Sequence, residues 1–432
     1  MRVPGTLLVL TVLAAAGPAL ADMVGHGGAV RAVTISADGS QVLTASFDYT
    51  ARLWDFVQQT ELKRLDDHEG PVNDVAFVGA DRALTGSDDG TAIVWDLNSG
   101  APLLRLAGHH QKVIDVAVSP DGRAAATASW DHTVRIWDLA SGMTTAVLRH
   151  PDPVDAVAYG GAAGGLVLSG THDGTLRLWD AKTGRAKGAK RRHDMAITRI
   201  AVSPDGTRAL TASIDGKIGL WSLPDLRQTK KLAYHDGPVF GIAFGPDGDT
   251  AVSAGRDGYL IDWDLDRGAP RRIIQAHDGI AWGVAVTPDG RFAISAGGDE
   301  NVRVWHRETG DRIGIEAPED DTPKPWLQSD DPGARLFRKC ARCHAISANG
   351  KARSGPHLAG LFGRRVGTVA GYNYSRALEE ADFIWSDDTL ARLFYEGPDH
   401  YLPGTKMPVQ RIADRAALGA LIAYLRQLTA TK

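Results

Sequence analysis

The chain has 432 residues, of which 43% are hydrophobic and 23% are charged, an ordinary composition for a globular protein in water. This length exceeds what one hydrophobic core usually holds, so we expect two or more domains. The formal net charge of −4 gives no reason to expect a nucleic-acid partner. The charge is unevenly distributed: residues 22–329 have 32 Lys and Arg against 42 Asp and Glu, whereas residues 330–432 have 15 against 10.

Residues 1–21 predict a secretory signal peptide. Arg2 precedes an apolar run from Leu7 to Ala16, and Ala19-Leu20-Ala21 is a small-x-small cleavage site, so the mature chain is expected to begin near Asp22. The alternative is an N-terminal membrane anchor. The apolar run is shorter than the ~20 residues that span a bilayer, and no other segment approaches that length. We therefore predict an exported protein without a membrane span.

Residues 22–315 repeat with a nearly constant period. Seven tryptophans mark it, the first interval being 41 residues and the other five 42: Trp54, Trp95, Trp137, Trp179, Trp221, Trp263 and Trp305. An aspartate stands six positions before each tryptophan: Asp48, Asp89, Asp131, Asp173, Asp215, Asp257 and Asp299. A histidine stands 27 to 29 positions before each: His26, His68, His109, His150, His193, His235 and His277.

The residues within a repeat favour short antiparallel strands. Residues 113–118 are rich in β-branched side chains and end at the turn Pro120-Asp121-Gly122, and a second Asp-Gly turn follows in several repeats. This period and its His and Trp-Asp positions resemble the WD40 repeat. The resemblance implies an all-β, seven-bladed propeller. Trp221-Ser222 and Trp305-His306 depart from the Trp-Asp pattern.

The repeated histidines and aspartates allow a catalytic, a metal-binding or a structural interpretation. In WD40 proteins the aspartate accepts hydrogen bonds within the blade, and the histidine, a hydroxyl and the tryptophan complete a buried network, so we prefer the structural role. The matching hydroxyl residues are predicted to be Ser46, Ser87, Ser129, Thr171 and Ser213, with Gly255 and Gly297 in the last two blades.

Closure of the ring is predicted from its two ends. Residues 312–315 suit the outer strand of blade seven, and few residues precede His26 after cleavage. We therefore expect the first and last blades to pack side by side. Residues 316–330, with three prolines and several acidic residues, predict a semi-rigid linker that reaches at most about 50 Å. Trp326 and Leu327 are expected to pin part of this linker to a neighbouring surface.

The pentapeptide Cys340-Ala341-Arg342-Cys343-His344 contains the chain's only two cysteines. Its spacing fits covalent haem attachment, in which both thiols form thioethers and the adjacent imidazole binds the iron. The alternatives are a redox dithiol, half of a zinc site, or coincidence. No second Cys/His pair stands at zinc-ribbon spacing, and the region lacks the βαβ pattern of a dithiol oxidoreductase.

Residues 331–432 resemble a class I cytochrome c of the mitochondrial and bacterial c2 type. The resemblance depends on six features besides the pentapeptide. They are a first helix over 332–339 and then, in chain order, four further motifs and a last helix. These are Gly355-Pro356-His357-Leu358, Gly360-Leu361-Phe362-Gly363-Arg364, Gly371-Tyr372-Asn373-Tyr374-Ser375, residues 401–407 ending in Pro403-Gly404-Thr405-Lys406-Met407, and an apolar helix from Ala417 to Leu428. It implies an all-α domain with one covalent haem c.

The same resemblance implies the roles of individual residues around the haem iron. Cys340 and Cys343 would attach the porphyrin, with His344 and Met407 as the two axial ligands. The Pro356 carbonyl would accept the imidazole N–H and orient the ligand. The propionates would be held by donors at Arg364, Tyr374 and Trp385.

The sequence departs from the family pattern at two positions near the iron. A tyrosine common in the third helix falls near Leu393, Phe394 or Tyr395, and an asparagine is replaced by Leu378. Both changes remove polar groups, so the reduction potential is not predicted. Lysines, which are numerous on the docking face of the mitochondrial proteins, are here only Lys339, Lys351, Lys406 and Lys432.

An iron with both axial positions filled has no site for substrate, so we predict an electron carrier and not an enzyme. Covalent haem attachment and export together favour the bacterial periplasm. The propeller would dock redox partner proteins, and contact between propeller and cytochrome is a further expectation because their charges differ in sign. Two alternatives remain: an oxidoreductase with a second cofactor in the ring, as in haem nitrite reductases, and a haem redox sensor.

Overall fold

A computed structural model describes residues 22–314, 324–341, 343–348, 355–370, 372, 374–405, 407 and 409–430. The predicted signal peptide, residues 1–21, lies outside this description, as do residues 316–323 of the predicted linker. Among the described residues, no helix is both long enough and apolar enough to cross a membrane.

Residues 22–314 form seven antiparallel sheets, one for each repeat. The chain begins with the short strand β1 (Met23–Val24). Blades one to three consist of β2 (Val30–Ile35), β3 (Gln41–Ser46), β4 (Ala51–Asp55), β5 (Glu61–Leu65), β6 (Val72–Val78), β7 (Arg82–Ser87), β8 (Thr91–Asp96), β9 (Pro102–Ala107), β10 (Val113–Val118), β11 (Ala124–Ser129), β12 (Thr133–Asp138) and β13 (Thr144–Arg149).

Blades four to seven continue the same up-and-down order. Their strands are β14 (Val154–Gly160), β15 (Leu166–Thr171), β16 (Thr175–Asp180), β17 (Ala186–Arg191), β18 (Ile197–Val202), β19 (Arg208–Ser213), β20 (Lys217–Ser222), β21 (Arg227–Ala233), β22 (Val239–Phe244), β23 (Thr250–Gly255), β24 (Tyr259–Asp264), β25 (Ala269–Gln275), β26 (Ala281–Val286), β27 (Phe292–Gly297), β28 (Asn301–His306) and β29 (Arg312–Ile313). The innermost strands of neighbouring blades contact one another, and β2 contacts β26, which closes the ring. The predicted seven-bladed propeller is confirmed.

The ring closes differently from the side-by-side packing expected from the sequence. β1 pairs with the Asn301–Val302 end of β28, and β29 pairs with its Val304–Trp305 end. The outer edge of blade seven is therefore completed by both ends of the propeller. The buried Asp22 carboxylate reinforces this closure by accepting a hydrogen bond from Arg312 Nε at 3.1 Å. Two paired residues of β1 are enough to connect the first blade to the last.

Each blade contains a buried hydrogen-bond network that includes its repeat tryptophan. In blade one, Trp54 Nε1 donates to Thr44 Oγ1 at 2.9 Å, and the same hydroxyl pairs with His26 Nε2 at 2.7 Å. The other ring nitrogen of His26 contacts the Asp48 carboxylate at 2.9 Å. These polar groups satisfy one another within the blade, which is the structural role predicted for the repeated histidines.

The hydroxyl in this network is not the one predicted from the sequence. It stands two residues earlier and is present in all seven blades: Thr44, Thr85, Thr127, Ser169, Thr211, Ser253 and Ser295. The predicted Ser46 instead donates to the Gly28 carbonyl at 2.9 Å, and its hydroxyl accepts from the Asp48 amide. Gly255 and Gly297 therefore do not interrupt the network of the last two blades.

The charge states of the network follow from its burial. Burial lowers the pKa of His109 below its ordinary value, so the ring is neutral. Burial alone would raise the pKa of Asp131, but hydrogen bonds from Thr133 and His109 outweigh it and hold this pKa at about 2. Blade four differs from the others, because His150 Nδ1 faces the Leu148 carbonyl at 3.0 Å and not Asp173.

Residues 324–430 contain helices separated by irregular segments. They are α1 (Pro325–Gln328), α2 (Pro332–Cys340), α3 (Arg376–Glu379), α4 (Asp387–Glu396), α5 (Pro398–Tyr401) and α6 (Arg415–Thr429). α2, α4 and α6 surround one apolar core. α1 falls in the predicted linker, but its Trp326 is buried, with its ring 5.3 Å from that of Phe337. This end of the predicted linker is thus part of the helical domain.

We predict that Thr127→Ala destabilises the propeller by about 2–4 kcal/mol, because it leaves Trp137 Nε1 and His109 Nε2 buried without their common partner. The control is Thr145→Ala in the same blade, where the threonine is exposed and its hydroxyl donates only to the Ile136 carbonyl, at 3.2 Å. The control should change stability by less than about 0.5 kcal/mol. Chemical denaturation followed by circular dichroism measures both, and equal stability losses would contradict the network.

Candidate functional site

The cysteine motif lies where α2 ends. The Asp331 side chain caps the start of this helix by accepting from the Ala334 amide at 2.9 Å, and Pro332 occupies its first turn. At the other end, the amides of Cys343 and His344 both donate to the Cys340 carbonyl, at 3.0 Å and 2.9 Å. This tight turn places both thiols and the imidazole beside one cavity.

The position of α2 is fixed by its close crossing with α6. A Cβ atom on Gly333 would lie 2.2 Å from the Ala420 carbonyl oxygen and 2.6 Å from Tyr424 Cβ, so only glycine permits this approach. Phe337, one turn further along α2, is completely buried, and its ring centre is 5.8 Å from that of Tyr424. This crossing sets the direction in which α2 delivers the cysteine motif.

The cavity beside the motif has the size and lining of a cofactor pocket. Its empty space, with the open mouth included, is about 1020 Å³, at the upper end of the range for ligand pockets. The wall is mostly apolar and includes Leu358, Leu361, Leu390, Leu402 and Leu425. All eight residues predicted to act at the haem line this one cavity: Cys340, Cys343, His344, Pro356, Arg364, Tyr374, Trp385 and Met407.

The His344 imidazole is oriented by one hydrogen bond. Its Nδ1 lies 2.8 Å from the Pro356 carbonyl oxygen, so Nδ1 carries the proton and Nε2 keeps its lone pair. Burial lowers the pKa of His344 below its ordinary value, which keeps the ring neutral. Gly355 allows the chain to pass against the ring, because a Cβ there would lie 2.4 Å from His344 Cε1. A neutral, oriented imidazole is the form that binds a metal.

Met407 reaches the cavity from the segment that follows α5. The amide of Leu402 donates to the Pro398 carbonyl at 2.9 Å, and the Met407 amide donates to Thr405 Oγ1 at 3.2 Å. Thr405 also lines the cavity. The thioether is therefore supplied by a loop that is held by hydrogen bonds within itself.

The three predicted propionate donors are held in different ways. Arg364 donates to the Ala359 carbonyl at 2.8 Å and to the His357 carbonyl at 3.0 Å. The Tyr374 hydroxyl accepts from the Val369 amide at 3.2 Å. The backbone of Trp385 is tied to Gly363 and Arg364 by hydrogen bonds of 2.9 and 3.0 Å. All three side chains border the cavity, and their roles toward propionates stay predictions.

Two further residues of the cavity wall were not predicted. The Ser375 hydroxyl is buried and has no hydrogen-bond partner among the described residues. Such a group is costly unless a ligand satisfies it, so it fits a propionate oxygen. Tyr49, from blade one of the propeller, also lines the cavity. The sequence does mark Tyr49, because a glycine follows the repeat aspartate in four other blades and a tyrosine follows it in blade one.

The structure shows which residues of α4 lie where the family commonly has a tyrosine near the iron. Leu393 and Phe394 of α4 line the cavity, whereas the side chain of Tyr395 is 52% exposed. Leu378 lines it as well. The wall near the predicted iron position therefore lacks the two polar side chains common in the family. Apart from this apolar stretch, the donor set and the unpartnered Ser375 hydroxyl fit a covalently attached haem.

Comparison with known proteins assigns both parts of the chain. Residues 71–322 match the family model described as IFT122 first beta-propeller, and residues 17–55 match that of the WD domain, G-beta repeat. Residues 331–429 match the cytochrome c model. The cytochromes c of Gibberella zeae and Arabidopsis thaliana are each 42% identical over 98 residues, which are 22% of this chain and 92% and 87% of those proteins. That of Chlamydomonas reinhardtii is 42% identical over 99 residues, 23% of this chain and 88% of its own.

The chain belongs to the IFT122 first beta-propeller family and to the cytochrome c family. Its cytochrome c domain binds haem c covalently and functions in electron transfer. The bound haem supplies an iron that accepts and releases one electron at a time. The cavity that would hold it is lined by two thiols, a neutral imidazole, a thioether and a mostly apolar wall.

We predict that Gly333→Ala destabilises the cytochrome domain by roughly 1–3 kcal/mol, because the new methyl group forces α2 away from α6. Gly419→Ala is a matched control in α6, since a Cβ there meets nothing within 4 Å. The control should stabilise the domain by about 0.5–1 kcal/mol through helix propensity. Denaturation followed by the helical circular dichroism signal compares them, and a shift of the same sign in both variants would contradict the close crossing.

Proposed function

We propose that this protein is a periplasmic one-electron carrier, in which His344 and Met407 are the axial ligands of a single haem c and the propeller docks a protein partner. The observation that carries the proposal is the shared cavity. The two cysteines, the His344 imidazole and the Met407 side chain all line it, and the Pro356 carbonyl accepts from the imidazole Nδ1 at 2.8 Å.

The proposed ligand pair favours a carrier over an enzyme. With an imidazole and a thioether as axial ligands, the iron has no open position for oxygen, peroxide or another substrate. His/Met ligation and an apolar surrounding both raise a haem reduction potential. The leucine and phenylalanine side chains of the cavity wall supply that surrounding. The protein's contribution is then a rigid pocket that changes little between the two oxidation states.

The proposed propionate site combines Arg364, Tyr374 and Trp385 with Ser375. Buried carboxylates require hydrogen-bond donors or positive charge, and Arg364 brings a guanidinium to the cavity. The Ser375 hydroxyl supports this assignment because it is buried and lacks a partner among the described residues. Burial lowers the pKa of Arg364 below its ordinary value, yet the group stays charged at neutral pH.

The propeller is proposed to bind proteins by charge. Residues 22–329 have ten more acidic than basic residues, whereas residues 330–432 have five more basic than acidic ones. An acidic propeller attracts a basic redox partner to the neighbourhood of the haem and also attracts its own cytochrome domain. Such long-range attraction acts mainly on the rate of encounter and weakens as salt screens it over about 8 Å at physiological ionic strength.

We predict that Met407→Ala removes the sixth ligand and leaves an iron that binds carbon monoxide readily. The control is Met143→Ala in the propeller, where the side chain is 69% exposed and far from the site in sequence. Absorption spectra of the reduced holoproteins measure the change: wild type and control should have a sharp low-spin α band, and Met407→Ala should lose it. A wild-type protein that binds carbon monoxide without denaturant would overturn the proposed ligation.

The periplasmic location has a separate test. Leu10→Arg interrupts the apolar run of the predicted signal peptide, so we expect this variant to stay in the cytoplasm without covalent haem. Thr11→Ser is the matched control and should be exported, with a mature N-terminus near Asp22. Cell fractionation, haem staining and mass spectrometry of the purified chain distinguish the two. Wild-type protein that retains Met1 and remains cytoplasmic would contradict the proposal.

A further inference from the structure

The turn between the second and third strands of blade one contains an unusual residue. In every blade, the residue after the repeat aspartate has a positive φ, from 67° to 81°. Four of the seven are glycines: the set is Tyr49, Gly90, His132, Gly174, Gly216, Gly258 and Glu300. This left-handed region is unfavourable for side chains larger than hydrogen, and especially for bulky ones. A tyrosine at this position therefore costs stability that glycine would not.

The Tyr49 side chain extends from blade one of the propeller and forms part of the wall of the haem cavity. It lines the cavity with Cys343 and Tyr372 of the cytochrome domain. Burial raises the pKa of Tyr49 to about 12, with smaller contributions from Cys343 and from Asp88 of blade two. Tyr49 has a strained backbone conformation in its own turn, and its side chain is buried against the other domain. The contact with that domain is therefore the reason for a tyrosine at this position.

The contact continues inside the cytochrome domain as a row of aromatic rings. The rings of Tyr372 and Tyr374 meet edge to face, with their centres 4.7 Å apart. Burial raises the pKa of Tyr372. The neighbouring Tyr49 and Tyr374 raise this pKa further, whereas the propeller residue Arg64 lowers it. The phenol rings of Tyr49 from the propeller and of Tyr372 and Tyr374 from the cytochrome domain thus all line the one cavity.

We propose that blade one of the propeller is a wall of the haem pocket, and that Tyr49 covers the haem beside Cys343 and the Tyr372 ring. The occupant of this part of the cytochrome surface is the propeller of the same chain, whose acidic charge complements the basic cytochrome domain. The inference deepens the proposed function, on which it rests, by assigning the propeller a second role. Besides docking a partner, it excludes water from one haem edge and thereby favours the reduced, less charged iron.

The test compares full-length holoproteins that differ at equivalent turns. Tyr49→Gly installs the residue that four other blades have, so its turn loses strain and the variant folds. His132→Gly is the matched control in blade three, where an exposed histidine has a φ of 67° and does not line the haem cavity. Tyr49→Phe keeps the ring and removes only the hydroxyl.

Three measurements report on the wall, and one of them, hydrogen exchange, is independent of electron transfer. Amide hydrogen exchange should rise several-fold in peptides that contain Tyr372 and Ser375 when Tyr49 is replaced by glycine. The reduction potential of that variant should fall, and ferricyanide should oxidise its ferrous haem several-fold faster. His132→Gly should match wild type in all three measurements, and Tyr49→Phe should remain close to wild type because the ring provides the cover.

The outcomes separate this inference from the proposed function. If Tyr49→Gly matches His132→Gly in exchange and in potential while the wild-type spectrum is low-spin, the propeller does not wall the haem and only this inference fails. If the wild-type protein lacks a low-spin spectrum, the proposed ligation fails, and hydrogen exchange alone still decides the contact. If Tyr49→Phe behaves as Tyr49→Gly, the cover by the ring is rejected.

Discussion

The hydrogen bond between His344 Nδ1 and the Pro356 carbonyl is the constraint on which the cytochrome site depends. It fixes the tautomer and the plane of the imidazole, and so determines which nitrogen faces the cavity. The bond joins the turn after α2 to a segment twelve residues further along the chain. At Gly355 in that segment, no side chain could fit beside the ring. The direction of α2 is set in turn by its crossing with α6 at Gly333.

The two halves of the chain use histidine in opposite ways. In the propeller, the repeat histidines have both ring nitrogens occupied, as His26 does with Asp48 and Thr44. In the cytochrome domain, His344 commits one nitrogen to the backbone, and the hydroxyl of Ser375 has no partner among the described residues. Completed networks stabilise a fold, whereas incomplete ones in a cavity indicate a missing ligand. The same residue type thus has a structural role in one domain and lines the proposed cofactor site in the other.

The sequence predicts the architecture well because both domains have strong local signals. The tryptophan period fixes seven blades, and the cysteine spacing with its following motifs identifies the cytochrome domain. It fails at the network hydroxyl, because Thr44 and Ser46 are two residues apart on one strand and point to the same face. It also fails at ring closure, because a strand of two residues has no detectable period. Tyr49 was missed because its departure from the glycine common at this turn does not reveal what the side chain contacts.

The closure of blade seven has a consequence for how the protein is made. β28 is the last complete strand of the propeller, and its outer edge receives β1 from the N-terminal end of the propeller. Blade one can therefore not be fixed against blade seven until the chain has been synthesised through Val302, the partner of Met23. During this interval β1 has no partner strand, and unpaired strand edges are prone to pair with other chains. The cytochrome domain follows the propeller in the chain, so it is synthesised just after the ring becomes able to close.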